Sequence, residues 1–180
     1  IAACFILSSL GAFSQSKKLW LIYADDAYKK KDYASAINYY TNVLDDTTIL
    51  DLFVLPYEVQ MLHLPMKDLK DTSRSKNGKV TKVSKYDYIL HQLGHAYQLN
   101  KDYENAVVYL KKCMDKLVYT EDEYYYALAL MQLKRYKDAM NEFEAYSGSS
   151  YKTDSLAKLA QHQMASCFFA EDSINNRHKH

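Results

Sequence analysis

Apolar positions recur along this chain at spacings of three and four, the period of an amphipathic helix, and three stretches share more than that period. Lys29 to Tyr40 reads KKKDYASAINYY, Asn100 to Leu110 reads NKDYENAVVYL, and Leu133 to Phe143 reads LKRYKDAMNEF. Each places a tyrosine (Tyr33, Tyr103, Tyr136) after charged residues. Three positions on lies Ala36, Ala106 or Ala139, and four further on lies Tyr40, Leu110 or Phe143. Nine residues before each tyrosine stands a small residue, Ala24, Gly94 or Ala127. Trp20 and Leu90 lie four before the first two of these, and Glu123 breaks that position in the third. Leu93-Gly94-His95-Ala96-Tyr97 is the fullest copy. Tyr103 and Tyr136 are 33 residues apart, and Tyr33 and Tyr103 are 70 apart, about twice that period.

The pattern predicts paired antiparallel helices. Helix A of the first pair is expected over about 17–30 and helix B over 33–44. The second pair is expected over 85–117 and the third over 122–146, ended by Ser147-Gly148-Ser149-Ser150. A last helix over 154–172, capped by Asp154 or Ser155, carries Leu156, Leu159, Ala160, Met164, Cys167 and Phe168 at helical spacing. The polar tail 173–180 is expected to fray. Between the first two pairs, residues 47–84 are irregular. Thr47 to Leu69 is apolar but holds Pro56 and Pro65, and Val59 and Met61 alternate with Glu58 and Gln60 as in a strand. Asn77-Gly78 signals a turn and Val80 to Val83 a short strand. This reads as an insertion in place of a degenerate unit, partly extended, with a mobile tip over 73–79; a distorted helical hairpin is the alternative.

These residues resemble the tetratricopeptide repeat family. The fold expected is all-α: antiparallel helical hairpins stacked in a short right-handed solenoid, with the insertion between the first and second clear repeats. The residue types fit that packing. Ala24 with Ala36, Gly94 with Ala106, and Ala127 with Ala139 let helices A and B approach closely, where a larger side chain would force them apart. Tyr33, Tyr103 and Tyr136 open helix B. Tyr97, Tyr40, Leu110 and Phe143 fill space within and between units. No unit buries its apolar face alone, so neighbours must stack. A generic antiparallel bundle is the plainer alternative.

Composition narrows the function classes. The chain has 180 residues, 4 Gly, 2 Pro, 18 Tyr and a formal net charge of +1. That charge provides no footprint for nucleic acid and no polybasic membrane patch. Ile1 to Phe13 is apolar, too short to span a membrane, and followed by Ser14, Gln15 and two lysines. Residues 1–15 read as the later part of a secretory signal peptide; without an initiating Met or basic n-region, the natural chain is expected to begin upstream. A buried N-terminal helix is the alternative. Ile1-Ala2-Ala3-Cys4 has the shape of a lipoprotein box, but Phe5 to Leu10 continue the apolar run past Cys4. Export would place Cys113 and Cys167 in an oxidising compartment, where a bridge is conceivable, although their apolar helical contexts favour buried thiols.

No phosphate-cradling glycine loop, nucleophile elbow or metal-ligating CxxC is present, and no cofactor is expected. His91 and His95 stand one helical turn apart, a spacing at which two imidazoles can meet one metal. No third ligand is identifiable in the sequence, so the pair reads as groove polarity and no metal site is assigned. In tetratricopeptide arrays the inner face of the A helices binds a partner segment. By register that face offers Leu21, Asp25, Tyr28, Lys29, Tyr88, His91, His95, Gln98, Tyr124, Leu128 and Met131. It lacks the lysine and asparagine arrangement that clamps a C-terminal carboxylate in chaperone-binding members. Rings at Tyr124, Tyr125 and Tyr126 point about 100° apart on a helix, so core, groove and surface are each open to one of them.

A narrower resemblance rests on the leader ending near Ser-Gln, DYASAINYY, LPYEVQ with its irregular insertion, YILHQLGHAYQLNKDYENAVVYL, YYYALALMQLKRYKDAM and MASCFFAED. Together these look like the N-terminal region of OmpA-family, peptidoglycan-associated envelope proteins of Bacteroidota, which serve type IX secretion and gliding. The resemblance implies a non-enzymatic scaffold, exported to the periplasm or the outer membrane, that docks another envelope protein or peptide segment. In that family a propeller and an OmpA-like domain follow; neither lies within these residues, so peptidoglycan binding is not assigned to them. The alternatives are an assembly factor for outer-membrane barrels and a metal-dependent enzyme using His91 and His95.

Overall fold

The computed structural model describes residues 19–45, 73–74, 80–114, 118–150 and 152–177. They form seven helices and one two-stranded ribbon, in two compact units, Ile1–Ala96 and Tyr97–His180. The first unit holds α1 (Trp20–Lys29), α2 (Tyr33–Asp45), β1 (Ser73–Arg74), β2 (Val80–Lys82) and most of α3 (Lys85–Leu99). The second holds the last turn of α3, then α4 (Tyr103–Met114), α5 (Asp122–Gln132), α6 (Tyr136–Gly148) and α7 (Asp154–Arg177). The fold is all-α, a helical repeat of hairpins, with β1 and β2 paired antiparallel inside the insertion. The strand expected near Val80 is present, and Ser73–Arg74, expected in a mobile tip, pairs with it. The expected leader over 1–15, the alternation at Val59 and Met61, and Asn77-Gly78 lie outside the described residues.

One turn joins A to B in all three helix pairs. Lys31, Lys101 and Lys134 adopt left-handed backbone, with φ of 61°, 64° and 61°. In the first, the N–H of Lys31 donates to the Tyr28 carbonyl at 3.0 Å and that of Asp32 to the Ala27 carbonyl at 2.9 Å. Lys101 and Asp102 donate likewise to Gln98 and Tyr97, and Lys134 and Arg135 to Met131 and Leu130. This is the Schellman arrangement, which gives donors to carbonyls that a helix end leaves unpaired. The left-handed conformation costs a lysine about 1–2 kcal/mol. Two hydrogen bonds of roughly 0.5–1.5 kcal/mol each offset it.

Helix B then starts at once. The N–H groups of Ala36, Ala106 and Ala139 donate to the carbonyls of Asp32, Asp102 and Arg135. The Asp32 and Asp102 carboxylates also accept the N–H groups of Ser35 at 3.2 Å and Asn105 at 3.3 Å, so both aspartates are N-caps. The Ser35 hydroxyl and N–H hold the Asp32 carboxyl below its usual range. In the third unit Arg135 occupies the cap position and bonds Asp138 instead, without a side-chain cap. Tyr33, Tyr103 and Tyr136 are the first residues of α2, α4 and α6 and are half-buried. Ala24, Ala36, Ala106, Ala127 and Ala139 are all fully buried, as are Tyr40, Leu110 and Phe143. Gly94 is buried as well, and Tyr97 is half-buried.

In the first unit α1 packs against α2, and α3 joins them through a polar contact in the core. The Asp25 carboxylate accepts the phenol O–H of Tyr40 from α2 at 2.5 Å and that of Tyr88 from α3 at 2.9 Å, both on Oδ1. Asp25 is 7% exposed, and its Oδ2 has no hydrogen-bond partner among the described residues. Burial pushes the Asp25 carboxyl above its usual range, opposed by the two phenols and by the charge of Lys29. Burial, then the neighbouring acidic groups, pushes both phenols up. Ser84 sets where α3 begins: its hydroxyl accepts the N–H of Asp87 at 3.0 Å, as an N-cap does, and donates to the Asp87 carboxylate at 2.8 Å.

In the second unit α4 packs on α5, α5 on α6 and α6 on α7, while α5 also meets α7. The A helix of one pair thus touches the first helix of the next, as stacking requires. α7 differs from expectation in three respects. Its cap is Thr153, whose carbonyl accepts the N–H of Ala157 at 2.9 Å and whose hydroxyl accepts that of Leu156 at 3.4 Å. Its buried stripe is Ala157, Ala160 and Cys167, with Leu156 and Met164 half-buried, whereas Leu159 and Phe168 are exposed. It also runs to Arg177, so 173–177 are helical and not a frayed tail. There Ser173 donates to the Ala170 carbonyl and Arg177 to that of Ser173, supplying polar partners to the last turn. Cys113 and Cys167 are both buried thiols, and burial raises the Cys167 thiol.

Two predictions follow from the turn and the core. Lys101→Gly relieves the left-handed strain and should stabilise the chain by about 0.5–1 kcal/mol, whereas Lys101→Val should destabilise it. Urea denaturation of both variants checks this, and equal midpoints would remove the strain argument. Because the folded pKa of Asp25 is raised, the stability tied to its neutral form is complete below about 3.8, the unfolded value, and is lost as pH rises through the folded value. Asp25→Asn keeps the acceptor without the charge. Its stability relative to the parent should therefore increase from pH 4 upward and then level off; a flat difference across pH 4–7 would contradict the buried-charge assignment.

Candidate partner-binding face

The A helices carry the face that sequence register assigns to a partner, and burial divides those residues. In the first unit Leu21 is fully buried, Asp25 is 7% exposed and Tyr88 is 9% exposed. All three belong to the core, and the two polar ones are tied to each other. They are corrected here from groove to packing. The reason is chemical: a carboxylate flanked by two phenols from different helices has its partners inside the fold, so it can be buried despite its charge.

Of the face assigned by register, the first unit leaves Tyr28, Lys29, His91 and His95 accessible. Tyr28 is half-buried and meets Tyr33 edge-on, with ring centroids 5.6 Å apart. That contact braces the A-to-B turn, because Tyr28 is also the residue whose carbonyl accepts from Lys31. Lys29 is exposed. His91 and His95 are half-buried on consecutive turns of α3, with ring centroids 4.5 Å apart and planes tilted by 56°. His162, on α7, is exposed.

In the second unit Tyr124 is 5% exposed and is also core. Its ring lies 5.7 Å from Phe143 and 6.1 Å from Tyr146, both on α6, so it wedges between paired helices and does not face a partner. Tyr126 is equally buried, and the Lys111 ammonium of α4 stands 5.5 Å from its ring centroid. Tyr125, which the sequence reading left unassigned, is the half-buried member of the run. Burial raises its phenol first, and the charges of Glu121 and Asp122 add to that. Gln98, Leu128 and Met131 are half-buried. Leu128 and Met131 pack against the core on one side, which fixes their rotamers while leaving part of each side chain at the surface.

Helical spacing alone does not single out the outward ring: Tyr124 is spaced to meet both Ala127 and Leu128, and Tyr125 both Leu128 and the buried Ala129. The accessible set is mixed and aromatic: Tyr28, Lys29, His91 and His95 in the first unit, and Gln98, Tyr125, Leu128 and Met131 in the second. Each of the two sets, taken by itself, suits contact with a protein segment, through rings and short apolar anchors with polar groups around them.

Among the described residues no helix is long and apolar enough to cross a membrane. Residues 88–115 match the family model of the tetratricopeptide repeat. The match covers most of α3, the left-handed turn at Lys101 and all of α4. No curated protein and no solved structure matches the chain. Tetratricopeptide repeats generally mediate contacts between proteins and are typically scaffolds without catalytic activity, and this is the class of function the match supports.

Proposed function

We propose that the chain is a non-enzymatic scaffold of the bacterial cell envelope, exported to the periplasm, whose A-helix surfaces hold a segment of another envelope protein in a secretion or gliding complex. The observation that carries the binding role is the recurrence of one A–turn–B unit. It leaves Tyr28 in the first unit, and Tyr125, Leu128 and Met131 in the second, half-buried and braced by core neighbours. Side chains held this way lose little conformational freedom on binding. The envelope location is supported by the apolar Ile1–Phe13 stretch with its Ser-Gln end, and by the likeness to OmpA-family envelope proteins of Bacteroidota. A role in assembling outer-membrane barrels is the alternative that the same features admit.

Site-specific photo-crosslinking tests the reading. Benzoylphenylalanine replaces Tyr28 or Tyr125, and in control chains it replaces Glu104, which is exposed on the B helix α4. From the two tyrosine positions we expect a discrete adduct with an envelope protein in intact cells, and from Glu104 none. An adduct with a component of the secretion or motility machinery supports the leading role, and one with a barrel-assembly component supports the alternative. Equal labelling from all three positions would overturn the A-helix assignment. Recovery of the chain from the cytosol alone would overturn the envelope assignment.

A further inference from the structure

We infer that His91 and His95 form a chelating site for a divalent transition cation on α3. The two imidazoles project from consecutive turns of one helix, and their ring centroids are 4.5 Å apart. A ring nitrogen of each lies within 4.8 Å of one on the other. Two imidazole nitrogens on one zinc at about 2.0–2.1 Å in tetrahedral geometry stand roughly 3.4 Å apart. The outer ring torsion of histidine has a broad minimum, so a modest rotation of each ring closes that gap without moving the backbone.

The helix beneath the pair is held in place. Ser84 caps its start, and Tyr88, one turn before His91, is tied to Asp25. A chelate whose backbone is already fixed loses little entropy when the metal arrives. Asp87 lies a further turn back on the same stripe, at a spacing of four from His91. Its carboxylate is buried and bonded to the Ser84 hydroxyl, which helps hold the start of the helix that carries the pair. Half-burial of both histidines limits competition from bulk water while leaving a way in. The donor set is imidazole nitrogen, which suits Zn²⁺, Ni²⁺ and Cu²⁺ and disfavours Ca²⁺ and Mg²⁺. The inference is independent of the partner-binding reading.

The test uses the full chain and the metal alone. Zn²⁺ added to the demetallated protein should bind at one equivalent and raise Tm. His91→Ala and His95→Ala should each weaken that binding at least about tenfold, since removing a direct ligand should cost no less than removing an outer-shell partner does. A His178→Ala, His180→Ala double variant should keep it. Because a substituted helix could misfold, Ni²⁺ is also titrated into the unsubstituted protein. Its paramagnetism should broaden the ring signals of His91 and His95 before those of His162. Absence of binding, binding unchanged in folded His91→Ala and His95→Ala variants, or broadening confined to other histidines would each overturn the site.

Discussion

The left-handed lysine between each A and B helix is the constraint on which the rest of the fold depends. At Lys31, Lys101 and Lys134 the chain reverses within two residues. The reversal is that tight because two N–H groups pair at once with carbonyls of the finished helix, and the next helix begins immediately. A looser connection would let the two helices diverge. In the hairpins α1–α2 and α5–α6 the short one holds them antiparallel and close, which only small side chains at Ala24, Ala36, Ala127 and Ala139 tolerate. Turn and small residues are therefore one device. The turn fixes the angle of approach, the alanines fix its distance, and Tyr40, Leu110 and Phe143 are then fully buried.

Against this apolar plan the Asp25 cluster is an exception with a structural use. A hydrophobic residue at position 25 would bury as well and cost less desolvation. What the carboxylate adds is direction: a phenol from α2 and one from α3 converge on the same oxygen. α3 is the helix that resumes the repeat after the insertion, so its position relative to the first hairpin is not dictated by a short turn. A buried, directional contact supplies the register that chain connectivity leaves open there.

Much of this was legible from residue identities. The three tyrosines opening helix B, the buried alanines and the order of helices follow from the repeat. The departures have separate causes. Helical period gives the side of a helix but not the width of the buried stripe. Tyr124 sits near the boundary on α5, and neighbouring rings from α6 draw it inside. A lone carboxylate is normally solvated, which favours the groove for Asp25, and its partners are 15 and 63 residues away in the chain. On α7 the stripe expected from spacing includes Ala160 and Cys167, which are buried, but also Leu159 and Phe168, which are exposed, while Ala157 beside it is buried. The left-handed lysines carry no compositional signal, since glycine and asparagine are the usual residues there. Only the fixed two-residue interval before each tyrosine marked them.

The candidate face follows from the same geometry. With the small side of each A helix turned to its partner helix, Tyr28 and Tyr125 remain as half-buried rings on a rigid support. Contact surface and core are two faces of the same helices, so a change in hairpin geometry would displace both. Nuclear magnetic resonance of the backbone tests that geometry most directly. Intraresidue contacts between amide and α protons, together with the scalar couplings, report φ at Lys31, Lys101 and Lys134. The account predicts positive φ at all three, in one common conformation. Negative φ at any of them would show that the units do not share a turn and would contradict the account at its base.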